Sequence, residues 1–109
     1  MQEGIRLNPF MPSWYSVILG VTYYSLGNYV EAVQAFRRIP TPGYWVRARL
    51  AATYGKLGSS AAAEAEVAKI LEEKPGFTIR DFFLQDVLLE RVEDREHLRD
   101  GLVKAGLPD

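Results

Sequence analysis

The chain has 109 residues, 48% of them hydrophobic and 25% charged, with a formal net charge of -1 and no cysteine. That length gives one small domain or a piece of a longer array, with enough apolar material for a core. The near-neutral charge argues against a nucleic-acid-binding surface. The lack of cysteine excludes disulfides, thiolate catalysis and cysteine-ligated zinc, and it fits a cytoplasmic setting.

The chain opens with Ile5 and Leu7 and then reaches Asn8-Pro9. Proline disfavours the helical conformation in the residue before it, so Asn8 is placed outside any helix. No residue between Arg6 and Glu31 is charged, yet Asn8, Pro9, Pro12, Ser13, Ser16, Thr22, Ser25, Gly27 and Asn28 interrupt the run. A bilayer-crossing helix needs about 20 predominantly apolar residues, so no membrane span is expected here. Glu3 and Arg6 precede the run and no clear small-residue cleavage site closes it, which argues against a signal peptide. A heavily buried helix is the expectation.

Pro12-Ser13 supplies a helix start, with Ser13 as the N-cap. The spacing predicts a first helix over 13–26 and a second over 29–38, joined by a tight turn at Gly27-Asn28. Gly20 is small where two helix axes should cross, with Ala32 facing it and Tyr23 and Phe36 filling the space between the helices. Pro40, Pro42 and Gly43 end the unit. A second copy follows at an offset of 31, as between Tyr23 and Tyr54. Leu19 maps to Leu50, Gly20 to Ala51, Leu26 to Leu57 and Gly27 to Gly58. Ala32 maps to Ala63, Phe36 to Val67 and Ile39 to Ile70. Alanines at 61, 62, 63, 65 and 68 favour a helix that packs closely, and Pro75-Gly76 closes the unit.

The tail does not repeat this pattern. Thr78 with Asp81 three residues on is a capping-box-like start. Ile79, Phe82, Phe83, Val87 and Leu88 give an apolar face, and a break is expected near Arg91 to Asp94. A last helix should carry Leu98, Leu102 and Ala105 on one side, with Gly106 as C-cap and Pro108 blocking continuation.

The Leu19-Gly20-x-x-Tyr23 and Ala32-x-x-x-Phe36 patterns, repeated in a helix-turn-helix setting, resemble the tetratricopeptide (TPR) repeat, whose usual period is about 34 residues. The resemblance covers Ser13 to Pro75. It implies an all-α, TPR-like superhelix of antiparallel helix hairpins with a C-terminal capping helix pair. The units are then 13–40 as first repeat, 44–75 as second repeat and 78–106 as capping helices, within one domain over 1–109. Leu7-Asn8-Pro9 is similar to the ending of a TPR second helix, so 1–9 is read as the tail of a preceding repeat and the chain as the end of a longer protein. Residues 98–108, with Leu7-Asn8-Pro9 and Pro12 to Tyr15, further resemble the C-terminal TPR segment of bacterial class III adenylate/guanylate cyclase-like proteins. That likeness implies a catalytic domain upstream.

In such a stack the first helix of each repeat lines a concave groove. Trp14, Val17, Val21 and Tyr24 form one stripe, and Trp45, Ala48, Ala52 and Gly55 are their counterparts. The groove is expected to take an amphipathic helix or extended peptide, with Trp and Tyr as anchors. The competing reading packs these residues against neighbouring helices of the chain itself or a missing upstream repeat. Carboxylate-clamping TPR proteins use lysine, arginine and asparagine on this face, which Val17, Val21, Ala48 and Ala52 do not supply. Arg47, Arg49 and Lys56 read as solvated charge at its rim.

No catalytic set converges. His97 reads as a lone surface histidine among Asp94, Glu96 and Asp100, and Glu72, Glu73, Glu90 and Glu93 read as solvated charge. Gly55-Lys56-Leu57-Gly58 lacks the spacing of a phosphate loop. The expected function is a non-catalytic module with no cofactor and no metal, whose partner is a protein or peptide. The alternative is a structural cap that mediates homodimerisation of a longer solenoid.

Overall fold

The computed structural model describes residues 13–40, 42–85 and 91–109. The described residues form six helices: α1 (Ser13–Ser25), α2 (Tyr29–Arg37), α3 (Tyr44–Leu57), α4 (Ser60–Glu73), α5 (Ile79–Gln85) and α6 (Val92–Ala105). No strand occurs among the described residues. The fold is all-α, and α1–α2 and α3–α4 form two successive antiparallel hairpins whose helices start at the expected 31-residue offset.

The turns repeat atom for atom. Gly27 and Gly58 take φ values of 82° and 76°, the left-handed region that side chains disfavour. The Gly27 N–H donates to the Tyr24 carbonyl at 3.0 Å and the Asn28 N–H to the Tyr23 carbonyl at 2.8 Å. Gly58 donates to Gly55 at 3.2 Å and Ser59 to Tyr54 at 2.9 Å. Each pair satisfies carbonyls that a helix end leaves orphaned. Leu26, read as part of the apolar motif, is 67% exposed because it falls in this turn, beyond the end of α1.

Inside the first hairpin the Phe36 ring occupies the notch left by Gly20, where an added Cβ would meet the ring's Cδ1 at 2.7 Å. Phe36 and Ala32 are fully buried, and Tyr23 packs against the same core. In the second hairpin Ala51 and Ala63 are buried at the equivalent positions, and the smaller, half-buried Val67 stands where Phe36 stands in the first. Between the hairpins, α2 packs on α3.

The tail departs from a third hairpin stack. Thr78 Oγ1 accepts from the Asp81 N–H at 3.1 Å, as its capping pattern predicts. The Ile79 N–H donates to the Pro108 carbonyl at 2.8 Å, so the end of the chain is tied to the start of α5. Ile79 and Phe82 are buried and Phe83 is half-buried. After Arg91, in extended conformation, α6 runs along α3, with Leu98, Leu102 and Ala105 buried and Gly106 at φ 98° closing it. It packs far more on α3 than on α4. The expectations for residues 1–9, Pro12, Val87, Leu88 and Glu90, and for the Ser13 side chain as N-cap, lie outside the described residues.

Candidate interaction surface

The seven groove residues divide into three groups. Tyr24, Ala48 and Ala52 are buried beneath α6. Two glycines permit this approach. A Cβ on Gly55 would come within 2.8 Å of the Gly101 carbonyl oxygen and 2.9 Å of the Ala105 nitrogen. A Cβ on Gly101 would strike the Tyr24 hydroxyl and lie 2.8 Å from the Ala52 carbonyl oxygen. The face expected to form a groove is therefore covered in cis, by a helix of the same chain.

Trp45 is half-buried, stacked on Phe82 of α5 with ring centroids 6.2 Å apart. The Arg49 guanidinium lies 4.6 Å above the Trp45 ring and 5.6 Å from the Phe82 ring. Arg49 is only 2% exposed, which corrects its reading as solvated charge: its guanidinium lies over two neighbouring aromatic rings, whose faces attract a cation. Arg47 pairs with Glu66 across α3 and α4 at 3.0 Å, and Lys56 with Asp100 across α3 and α6 at 2.5 Å. Lys56, with Lys104 at 3.5 Å, holds the Asp100 carboxyl below the usual carboxylate range. The proposed basic rim is thus a set of ties between helices. Glu72, Glu73 and Glu93 are exposed, as expected of solvated carboxylates.

His97 also departs from expectation. The Tyr24 hydroxyl donates to the His97 carbonyl at 2.7 Å, and the Tyr29 hydroxyl lies 2.7 Å from His97 Nε2. The imidazole and Tyr24 ring centroids are 4.5 Å apart, and Tyr24 and Tyr29 meet edge to face at 5.3 Å. Burial, then Lys56, lowers the histidine pKa, while Asp100 and Asp94 oppose them. The neutral ring can then accept from Tyr29 at Nε2. Burial, then Tyr29, raises the Tyr24 pKa well beyond its ordinary range. Sequence neighbours made His97 look solvated; the tyrosines that meet it come from α1 and α2, 73 and 68 residues away. Its place is a pin between α6 and the first hairpin. Among the described residues no group of three His, Cys, Asp or Glu side chains could hold a metal.

The remaining groove residues sit on or beside an open face. Trp14 is 64% exposed, and Val17 and Val21 are half-buried. A second stripe, not anticipated, runs beside them through Ile18, Thr22 and Leu26, four residues apart along α1 and its end. Ile18 is 41% exposed and Thr22 is exposed, whereas their counterparts Arg49 and Thr53 are buried. The second hairpin covers with neighbours what the first leaves bare.

Comparison with family models, with curated proteins and with solved structures returns no match for this chain. No helix among the described residues is long and apolar enough to cross a membrane.

Proposed function

We propose that this chain is a non-catalytic, TPR-like module for protein–protein interaction, whose contact surface is the open edge of α1 rather than the concave groove. The observation that carries this reading is the contrast between equivalent helices. Trp14, Ile18, Thr22 and Leu26 stand in solvent where Trp45, Arg49, Thr53 and Leu57 are better covered. A run of exposed apolar side chains on one helix is a feature of docking surfaces. The motif resemblance supports a cytoplasmic scaffold at the C-terminal end of a bacterial signalling protein such as an adenylate cyclase. The closed groove favours the second reading, a structural and self-associating cap, over capture of a peptide on the inner face.

A photo-crosslinking amino acid at position 18, compared in living cells with one at the exposed position 72 on α4, tests the module itself. Adducts of a protein at 18 and none at 72 support it. Adducts at neither position contradict it.

A further inference from the structure

We infer that the α1 stripe is the two-fold interface of a homodimer, an inference that rests on the interaction-module reading and names its partner as a second copy of the chain. Three observations converge. First, no residue from Ser13 to Val30 carries a charge, so the whole of α1 and its turn can meet itself without like-charge repulsion. A two-fold contact brings the same patch from both subunits together, and it requires such self-compatibility. Second, Trp14, Ile18 and Leu26 are exposed on this edge, and Val30, at the start of α2 across the turn, is 55% exposed. These side chains include one aromatic anchor and three aliphatic residues, the composition of an interface core.

Third, the opposite edge does not fit a head-to-tail stack. Val33 on α2 is buried, and its counterpart on α4 is the exposed Glu64. Pressing an apolar α1 stripe onto that edge would bury a carboxylate that the stripe cannot pair. Heterologous contacts of that kind also propagate into open filaments, whereas a two-fold contact closes. One edge is closed to stacking by charge and the other is free of it, which leaves the symmetric pairing of α1 with its own copy.

The chain has no cysteine, so single substitutions report without background. Sedimentation at about 100 µM, enough to populate even a micromolar dimer, should give twice the 12.3 kDa chain mass. Ile18→Glu should weaken the dimer by about thirtyfold or more, the loss typical of a central interface residue. Val103→Glu, on the exposed side of α6, should leave it unchanged. Ile18→Cys, a small change at a partly exposed site, should form a disulfide dimer on mild oxidation. A monomer at that concentration overturns the inference, as does a dimer that Val103→Glu breaks and Ile18→Glu does not. Crosslinking that requires Glu64→Cys together with Ile18→Cys would establish a head-to-tail contact and overturn the two-fold. If the purified chain is monomeric while position 18 captures a different protein in cells, the homodimer fails and the module reading stands.

Discussion

Gly55 on α3 and Gly101 on α6 lie back to back, so close that a methyl on either would press into the backbone of the other helix. Glycine inside an exposed helix normally costs about 0.5–1 kcal/mol relative to alanine. Here that preference should be reversed. Gly101→Ala is expected to destabilise the chain by about 1–3 kcal/mol, the range for overpacking a tight contact. Gly55→Ala should act in the same direction. Urea unfolding of the two variants checks this, and a stability gain in both would mean that α6 does not sit on α3.

The two tryptophans occupy equivalent places in the repeat but should behave differently. Trp45 contacts both Phe82 and the Arg49 guanidinium, so Trp45→Ala should cost about 2 kcal/mol or more, through lost packing and a lost cation–π contact. Trp14 is largely in solvent, and Trp14→Ala should stay within about 0.5 kcal/mol of the parent. Thermal melts of both variants decide this. Association should show the opposite order, with Trp14→Ala weakening self-contact at nearly unchanged stability.

Acid should loosen α6 in two windows. Burial and Lys56 hold the His97 pKa below its ordinary 6.5, so the unfolded chain takes up this proton at a higher pH than the folded one. Its stabilising effect is full above 6.5 and declines as the pH falls from there through the folded-state value. Asp100, held below its ordinary 3.8 by the Lys56 hydrogen bond, supports the fold above that value and loses its effect as the pH falls through the lower, folded-state value. The melting temperature of the parent should therefore drop between about pH 7 and pH 5. His97→Gln, which can still accept from Tyr29, should show a flatter profile. Identical slopes for the two proteins would contradict this role for His97.

Much of the fold was legible because the repeat is written twice. Gly27 and Gly58 mark the turns, Gly20 with Phe36 marks the helix crossing, and Thr78 and Gly106 mark the limits of the tail. The placement of α6 was not legible, since an apolar face of Leu98, Leu102 and Ala105 suits a partner's groove as well as its own. The clue was the small-residue pair Gly101 and Ala105, four apart, facing Ala48, Ala52 and Gly55 on α3. Charge misled twice. Arg49 is buried because aromatic rings take its guanidinium, and His97 is pinned by tyrosines distant in sequence. Neither contact leaves a trace in local spacing. The α1 edge was half visible: Trp14 stood out, Ile18 was not singled out, and Leu26, read as part of the apolar motif, falls in the turn.

The chain's own α6 covers the α3 face that was expected to form a groove, and the proposed contact surface is the α1 edge instead. The most direct measurement is a nuclear Overhauser spectrum of the isotopically labelled chain. Cross-peaks are expected from the Gly101 α protons to the Ala52 methyl and from the Gly55 α protons to the Ala105 amide, where the two helices approach closely. Absence of both, with fast amide exchange throughout α6, would show that α6 does not cover this face.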